Sequence, residues 1–592
     1  MHFDTLAARA LNASRAAHKP TYVGLRLLLT GAQNSRAALD AFLTRRTVSR
    51  REWRYFSFQI LKEARKDHKP EYRNCIVGSP LTTLAEAHVL SLMSSEPSFG
   101  VPACAFSSLW PAEPSSGRNF EFFLDGYERR NRRVAELLAA KPGHVAVVND
   151  IKSFYPSVEK PRLRERIVRR AKAIQDRQTK RSVEGLLLAL IDLDAPKYSG
   201  IPIGPEVGHA LGHVALEGVD ATMIGHYGDA YLRYVDDIIV VCPTEEVDGV
   251  TRRLQNALSD EGLALNDEKR DVVAEGSWRQ DCVSFAPAPL PNTFESLVEA
   301  IVHHLIWYPG DAEELQRRLT DAGFSIPVNR FRSLSKSKRY RGHLRSRWRA
   351  VDRLWDWLVV TFTSSIDTIV ETAKAVREEL RRKATVLAES TPPEGSMRRR
   401  WHIQRCRYVL NRLAYLLSPA DYKALLQLVP NIDEFQELRL VLEAVASGDA
   451  TTILPYPGRV ASTFCELWHL HNKARPPRVA WPAVAGRAEA ESAATLSLYL
   501  GVKPSTTFLR AFDQSLPGGR LLLDLCSAGR TEHRIAPRTF IDEVDCLYRG
   551  VRPEELHSLM YSRHDELEDV GLEGLLLGSF GSGLRFDIPV SG

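Results

Sequence analysis

Two acidic segments carry the side chains of this sequence that are best suited to chemistry. Asp150 follows the apolar run Val145–Val148, and Asp236-Asp237 precedes the apolar run Ile238–Val241. Adjacent aspartates are poor strand formers, and like charges repel unless a cation neutralises them. Three carboxylates converging from two neighbouring strands can hold two Mg²⁺ ions about 3.5–4 Å apart, a centre that activates a 3′-hydroxyl and stabilises leaving pyrophosphate. An isolated Asp-Asp pair more often marks a hairpin turn with solvated acids, so the surrounding residues decide.

The elements that must position these acids alternate between strands and helices over the first 290 residues. Val145–Val148 and Leu232–Cys242 have the β-branched content of strands, whereas Arg162–Leu193 and Thr244–Glu261 have helical spacing. The order of these elements predicts an α+β fold with helices on one face of the sheet.

Beyond residue 291 the pattern becomes almost wholly helical. Helical spacing runs over Leu297–Ile306, His343–Ala384 and Met397–Leu417. Proline-containing breaks at Glu389–Gly395 and Ala474–Gly486 predict linkers or long loops. Paired helices of this kind can stack as a solenoid.

The composition excludes several classes of protein. Hydrophobic residues make up 44% and charged residues 26%, which rules out wholesale disorder. No apolar run approaches the roughly 18 residues that span a bilayer, and Met1–Ala10 lacks the apolar core of a signal peptide. The eight cysteines form no C-x-x-C pair, so neither a disulfide framework nor a thiolate zinc site is expected. We expect a cytoplasmic protein without a membrane partner.

Two basic clusters predict contact with a polyanion, although a solvated helix face is the alternative for each. Nine Lys or Arg residues and one acid lie between Arg332 and Arg353, and Arg129–Arg133 forms a shorter cluster. Tyr340 and Trp348 could add stacking on a single strand. The assigned nucleic-acid-binding residues are Lys338, Arg339, Arg341 and Arg345.

The order and spacing of several motifs resemble the palm of a reverse transcriptase. Tyr234–Asp237 follows a strand and resembles motif C, and Asp150–Tyr155, which resembles motif A, begins 86 residues before Asp236. Gly200–Pro205 resembles motif B, and Leu263–Lys269 resembles motif D. The resemblance covers about residues 60–290. The sequence of motif B and the long helical C-terminal region resemble those of bacterial abortive-infection and other defence-associated reverse transcriptases.

The resemblance implies a role for each matched residue. The ligands of Mg²⁺, or of Mn²⁺ in its place, would be three carboxylates and one backbone carbonyl: Asp150, Asp236, Asp237 and Ile151. Tyr155 would stack beneath the sugar and exclude a 2′-hydroxyl, with core packing as its alternative role. Lys269 would protonate the departing pyrophosphate.

The fingers and the base-pair pocket supply further candidates. Arg73 and Arg118 lie in segments that resemble fingers motifs, and a guanidinium can bind phosphate in a bidentate manner. Gly204 in the motif B loop suits a close approach of the backbone to nucleotide or template. The sequence departs from the family pattern at Gly208-His209, where a small hydroxyl residue is usual, and at Pro156, where a second acid is common.

The resemblance implies a right-hand-like polymerase with three regions: N-terminal helices and fingers over residues 1–144, a palm over residues 145–290, and an α-helical region replacing the thumb over residues 291–592. It implies a DNA polymerase that uses two metal ions and dNTPs, acts in antiphage defence and forms a homo-oligomer. Some members extend a protein hydroxyl, which leaves single-stranded DNA covalently attached, and others copy a non-coding RNA. Conceivable protein primers are Tyr408, Tyr415, Tyr422 and Tyr499.

Two alternatives stay open. The first is an RNA-templated retroelement polymerase that copies its own transcript and depends strictly on added template and primer. The second is a non-catalytic scaffold in which a degenerate palm binds RNA or a partner enzyme. The presence of all three carboxylates and the aromatic Tyr155 disfavours the scaffold, because a degenerate palm would more readily have lost one of them.

Overall fold

The structure is a computed structural model, and it describes residues 3–17, 21–22, 24–26, 29, 55–64, 70–114, 116–121, 123–193, 199–279, 294–326, 328, 365–391, 397–418, 421–432, 435–456, 458–471, 475–483 and 486–511. The predicted nucleic-acid contacts Lys338, Arg339, Arg341 and Arg345 lie outside these residues, as does the whole block between Arg332 and Arg353. The described parts are mostly helical with small antiparallel sheets, which confirms the α+β class. The three-region division stays a prediction.

Two antiparallel sheets occur in the described residues. One pairs β1 (Tyr55–Ala64) with β2 (Pro70–Gly78). The other has the strand order β4-β5-β3-β6. Its strands are β3 (His144–Asp150), β4 (Tyr231–Tyr234), β5 (Asp237–Pro243) and β6 (Asp271–Ala274). The predicted strand Leu232–Cys242 is therefore two strands, joined by a turn at Val235 and Asp236.

Helices accompany these sheets up to residue 279. Their bounds are α1 (Phe3–Ala17), α2 (Pro80–Ser94), α3 (Phe123–Ala140), α4 (Phe154–Ser157), α5 (Lys160–Lys172), α6 (Arg177–Ile191), α7 (Val207–Ala215), α8 (Glu217–Tyr227), α9 (Val247–Asp260) and α10 (Glu275–Trp278). The predicted helical stretch Arg162–Leu193 is divided into α5 and α6. Asp176 begins the second helix because its carboxylate accepts a hydrogen bond from the amide of Thr179 at 2.7 Å.

The two central strands of the four-stranded sheet, β3 and β5, are buried on both faces. Ile238 and Val240 of β5 pack in the large core that includes residues of α5 and α6. Ile239 and Val241 pack in a second cluster with α3 and with Trp278 of α10. The prediction that helices cover one face of the sheet is therefore wrong. An unbroken apolar run, rather than a strict alternation, is the pattern of a strand that is buried on both sides.

Every helix or strand that the structure describes from Phe294 onward is a helix, as predicted. The helices are α11 (Phe294–Trp307), α12 (Ala312–Asp321), α13 (Ile366–Glu389), α14 (Met397–Tyr415), α15 (Tyr422–Leu428), α16 (Gln436–Ser447), α17 (Gly458–His471), α18 (Arg487–Leu500) and α19 (Thr506–Ala511). Helix α13 ends where the first proline-containing break begins, and the second break lies between α17 and α18. In the part of the chain that the structure describes, no helix has the length and apolarity needed to cross a membrane.

Helix α2 carries a buried carboxyl group. Glu86 is 5% exposed, and its carboxyl oxygen accepts a hydrogen bond from the hydroxyl of Tyr55. Burial raises the pKa of Glu86, the Tyr55 hydrogen bond opposes this rise and the charge of Glu206 adds to it, and together they bring the pKa to about 8. The carboxyl group is therefore mostly protonated at neutral pH.

Glu86→Gln should make the protein more resistant to heat at high pH. The folded-state pKa lies above the unfolded value of 4.5, so the stabilisation is complete below pH 4.5 and is lost as the pH rises through about 8. Glutamine stays neutral and can still accept the Tyr55 hydrogen bond. We expect the variant to have a higher Tm than the wild type at pH 9 and an equal Tm at pH 5. Glu443→Gln, an exposed change on α16, is the control and should alter neither value; a Glu86→Gln effect equal at both pH values would contradict the prediction.

Candidate active site

Strand pairing brings the two acidic segments together. Strands β3 and β5 are antiparallel neighbours in which Asp150 lies opposite Asp237. Asp236 lies in the two-residue turn that joins β4 to β5. The exposed fractions of Asp150, Asp236 and Asp237 are 1%, 2% and 8%. Three buried carboxylates therefore share one end of the sheet.

The backbone beside these acids adopts uncommon conformations. In the described part of the chain, the non-glycine residues with positive φ are Ser108, Ser153 and Val235. Val235 has φ +55°, which a β-branched side chain rarely tolerates, and its amide donates a hydrogen bond to Oγ of Ser107 at 2.9 Å. Backbone strain of this kind costs about 1–3 kcal/mol per residue and clusters at functional sites.

The carboxylate of Asp150 is contacted through only one of its two oxygens, Oδ2, among the described residues. Its Oδ2 accepts a hydrogen bond from Nδ2 of Asn266 at 3.0 Å and lies 3.2 Å from Nζ of Lys269. The amide of Asn266 also donates to the backbone carbonyl of Asp150 at 2.8 Å. The structure thus brings Lys269 to Asp150, although these residues are far apart in the chain. Oδ1 of Asp150 is buried and has no hydrogen-bond partner among the described residues.

Asp237 faces a buried guanidinium that the sequence had suggested for a different role. Nη1 of Arg130 lies 3.9 Å from Oδ2 of Asp237, and Arg130 is completely buried. Its guanidinium carbon lies 4.4 Å from the ring centroid of Tyr127 and 5.5 Å from that of Tyr234. Removing one partner from a buried charge pair typically costs about 3–5 kcal/mol, because the other charge is left uncompensated.

The cluster Arg129–Arg133 is divided between one buried arginine and arginines at the surface. Arg129 pairs with Glu121, and Arg133 pairs with Asp229 at 2.7 Å. The buried Arg130 cannot contact a polyanion, so the prediction is wrong for this residue, whereas for the exposed Arg129 and Arg132 it stays a prediction. The sequence pattern did not show the burial of Arg130 because its carboxylate partner, Asp237, is distant in the chain.

The donor chemistry at Asp150 suits Mg²⁺, which prefers oxygen ligands. The buried Oδ1 of Asp150 is an oxygen whose coordination a cation would complete. Ile151, whose carbonyl was the fourth predicted ligand, is buried and forms an isolated bridge with Leu265. In the described residues, however, no group of three or more His, Cys, Asp or Glu side chains is gathered closely enough to hold a metal ion. The arrangement is therefore a set of neighbouring carboxylates and not a complete metal cluster.

Tyr155 is fixed in the core beside motif B. It is 3% exposed, and its hydroxyl is hydrogen-bonded to Nδ1 of His209 at 3.1 Å. Burial lowers the pKa of His209 to about 4, so that its imidazole is neutral at physiological pH. A Cβ atom on Gly212 would lie 3.6 Å from the Tyr155 hydroxyl, so the helix α7 packs closely on this ring. The departure of the sequence at His209 thus supplies the partner of the Tyr155 hydroxyl.

The motif B loop makes its close approaches to the protein backbone. Gly204 has φ +126°, and a Cβ atom there would lie 2.0 Å from the carbonyl oxygen of Ile76. Ile76 in turn donates its amide to the carbonyl of Ile203 at 2.8 Å. A Cβ atom on Gly200 would lie 2.1 Å from the carbonyl oxygen of Tyr155. The loop therefore joins β2 to the segment that follows Asp150, whereas the sequence had suggested an approach to nucleotide or template.

The two arginines assigned to the triphosphate lie on different elements. Arg73 is half-buried on β2. Burial raises the pKa of the Tyr155 hydroxyl, and the positive charge of Arg73 opposes this rise. Arg118 is half-buried near the start of α3. Burial raises the pKa of Asp125, and the positive charge of Arg118 opposes this rise. Burial and then the charge of Asp236 raise the pKa of Tyr155, so Asp236 and Arg73 influence the same hydroxyl with opposite sign.

The tyrosines suggested as protein primers are largely committed to packing. Tyr415 and Tyr422 are 2% and 0% exposed, and the hydroxyl of Tyr422 donates to a carbonyl of α14 at 3.3 Å. The ring of Tyr408 is covered by the guanidinium of Arg412 at 3.4 Å. These contacts argue against Tyr415 and Tyr422 as primers in this conformation. The side chain of Tyr499 lies outside the described residues.

Comparisons with known proteins identify no family for this chain. No family model matches the sequence, and no curated protein matches it. A solved structure of telomerase from Candida albicans, in complex with a TWJ fragment of telomeric RNA, matches with a TM-score of 0.28 and 10% sequence identity. The match covers 67% of this chain and 67% of the telomerase chain. A similarity of this size is too low to support an argument about fold or function.

Gly204→Ala should destabilise the protein. The new Cβ atom would meet the carbonyl oxygen of Ile76, and alanine at φ +126° is strained, so we expect a loss of about 2 kcal/mol or more in folding free energy. Gly225→Ala on α8 is the control, because no atom lies within 4 Å of its new Cβ and alanine favours helix by up to about 1 kcal/mol. Thermal unfolding followed by circular dichroism measures both. Equal Tm values for the two variants would show that the close approach at Gly204 is dispensable.

Proposed function

We propose that this chain is a polymerase-type nucleotidyl transferase that adds deoxynucleotides to a hydroxyl primer. The observation that carries the proposal is the pairing of Asp150 with Asp237 on neighbouring strands, with Asp236 in the adjoining turn. A structural role alone would favour solvated acids at a strand end. These three are instead almost fully buried, where an ionised carboxylate is costly unless cations compensate it.

The carboxylates of Asp150, Asp236 and Asp237, with the carbonyl of Ile151, would hold Mg²⁺ or Mn²⁺ once the ions draw them together, since these side chains do not by themselves form a closed ligand set. Such ions supply Lewis acidity that activates the attacking hydroxyl and neutralises charge on the departing pyrophosphate. The unpartnered Oδ1 of Asp150 supports this assignment, because it is a buried acceptor in a position to ligate. Lys269 places an ammonium group 3.2 Å from Oδ2 of the same residue.

The remaining residues would orient the substrate and move a proton. Lys269 is the proton donor to the leaving pyrophosphate, since its ammonium lies beside the acidic centre. Arg73 and Arg118 bind the triphosphate as bidentate donors. Tyr155 packs beneath the sugar, and its hydrogen bond to His209 keeps the ring in one orientation.

The finer assignment rests on the sequence resemblance. The order of motifs A to D supports a reverse transcriptase of the defence-associated type that acts against phage, assembles as a homo-oligomer and copies RNA or a non-coding RNA, or extends a protein hydroxyl. The burial of Tyr415 and Tyr422 disfavours these two residues as primers and leaves Tyr408 and Tyr499 as the candidates in the helical region. The scaffold alternative predicts RNA binding without incorporation.

Purified full-length protein, labelled dNTPs and Mg²⁺, without added template or primer, provide the first test. Label released from the protein only by protease would support protein-primed synthesis. Incorporation that disappears after ribonuclease treatment would point to a copurified RNA template. No incorporation with Mg²⁺ or Mn²⁺, even after template and primer are added, would reject the polymerase proposal and favour the scaffold.

Replacing both Asp236 and Asp237 by asparagine should abolish incorporation. The change keeps side-chain volume and removes the negative charges at the centre, so we expect the rate to fall by at least about a thousandfold. Because Asp237 also compensates the buried Arg130, the double variant should be less stable than the wild type, and Asp236→Asn alone should show the loss of rate in a folded protein. Asp248→Asn, at an exposed position on α9, should leave the rate unchanged. Product electrophoresis measures the rate and circular dichroism measures the fold. Incorporation retained by the double variant would exclude these residues from catalysis.

Tyr155→Ala should weaken discrimination between dNTPs and rNTPs. Removing the ring opens space next to the sugar, so we expect the preference for dNTPs to fall by about tenfold or more. The ratio of incorporation efficiencies for dGTP and GTP measures the effect. Tyr227→Ala on α8 is the control, because that ring is half-buried and contacts Arg253. An unchanged ratio in Tyr155→Ala would leave this residue with core packing as its role.

A further inference from the structure

The turn that carries Asp236 is held by a contact from a distant segment. Val235 adopts φ +55°, and β-branched residues occupy this left-handed region only when the surroundings enforce it. Its amide donates a hydrogen bond to Oγ of Ser107 at 2.9 Å, across 128 positions of the chain. Val235 directly precedes Asp236, so the orientation of its peptide groups sets the direction in which the acidic pair points.

Ser107 is itself fixed by pairing with β4. The amide of Arg233 donates to the carbonyl of Cys104 at 2.8 Å, and the amide of Phe106 donates to the carbonyl of Arg233 at 2.9 Å. These bonds form a short parallel bridge alongside β4 that ends just before Ser107. Ser107 is 2% exposed, and its carbonyl lies 3.1 Å from Nε2 of His213.

A buried polar network determines how His213 meets Ser107. Nη2 of Arg233 donates to Nδ1 of His213 at 3.1 Å, because a guanidinium can only donate. Burial, and then the charge of Arg233, keep the pKa of His213 well below its ordinary value, so the ring is neutral. The single ring proton therefore sits on Nε2 and is donated to the Ser107 carbonyl.

The same guanidinium is anchored on a second helix. Nε and Nη2 of Arg233 both donate to the carboxylate of Asp220 on α8, at 2.7 to 3.0 Å. The hydroxyl of Tyr231 donates to Oδ1 of Asp220 at 2.9 Å. Every member of this network is nearly fully buried, so water competes little for these bonds.

We propose that Ser107 is a positioning residue for the acidic turn: its hydroxyl holds Val235 in the left-handed conformation that aims Asp236, and the His213–Arg233–Asp220 network keeps Ser107 in place. The proposal rests on the proposed function, because the consequence it predicts is a change in nucleotide incorporation. Ser107 acts through Val235 and does not touch the reacting atoms.

A double-mutant cycle tests this role. Ser107→Ala removes the acceptor of the Val235 amide, so we expect the incorporation rate at saturating dNTP to fall by about tenfold while the half-saturating dNTP concentration stays within about twofold. Val235→Gly removes the side chain that makes φ +55° unfavourable. In that background we expect Ser107→Ala to lower the rate by less than about threefold, since glycine adopts the turn without support.

Ser14→Ala is the matched control, because Ser14 on α1 is also 2% exposed and donates its hydroxyl to a backbone carbonyl away from the acids. It should leave the rate unchanged in both backgrounds. Ser107→Cys keeps a similar volume but is a weak acceptor, and it replaces the alanine variant if that variant does not fold. Tm values of all variants separate loss of folding from loss of rate.

The outcomes separate the two proposals. A wild-type protein that incorporates no nucleotide rejects the proposed function. If the wild type is active and Ser107→Ala lowers the incorporation rate by the same factor with and without the Val235→Gly substitution, the positioning role alone is rejected. A Ser107→Ala variant that changes the half-saturating dNTP concentration but not the rate at saturation also rejects it, because Ser107 would then act on substrate binding.

Discussion

The antiparallel pairing of β3 with β5 is the constraint on which the site depends. It sets Asp150 opposite Asp237 and leaves Asp236 in the turn at the end of the same ladder. The pairing is stabilised by apolar side chains that are buried on both faces of the sheet, and this burial also places the acids where water cannot screen them. Burying ionised carboxylates is energetically unfavourable, and polar groups around this end of the sheet compensate for it. Lys269 and Asn266 contact Asp150, and Arg130 lies near Asp237.

The site is assembled from segments that meet only after folding. The acids come from two strands, Ser107 comes from the loop between α2 and α3, and Asp220 comes from α8. The motif B loop contributes a mechanical link, because its glycines rest on the backbone of β2 and of the segment after Asp150. The loop therefore contacts both β2, which carries Arg73, and the segment that follows Asp150.

Local patterns in the sequence predicted the strands beside the acids and the helices of the C-terminal part, because both kinds of element depend on neighbouring residues. The apolar run that precedes Asp150 and the run that follows Asp237 are strand signals that require no tertiary information. Arg130 was misassigned, because a buried arginine and a surface arginine look alike when their partners are distant in the chain. His213 and Asp220 carried no signal at all, since their roles arise from contacts with Arg233 on another element. The unbroken apolar run of β5 did contain the information that both faces are covered.

The two-residue turn between β4 and β5 limits how this region can evolve. Side chains on a strand alternate between its faces, so one inserted or deleted residue would exchange the faces of every position after it. Asp237 would then leave its place opposite Asp150, and Ile238 and Ile239 would exchange the two cores in which they pack. Substitutions at the turn change its conformation by degrees, whereas a change of length would dismantle the acidic centre in one step. Related chains that keep this chemistry should therefore vary in residue type at the turn while keeping its length constant.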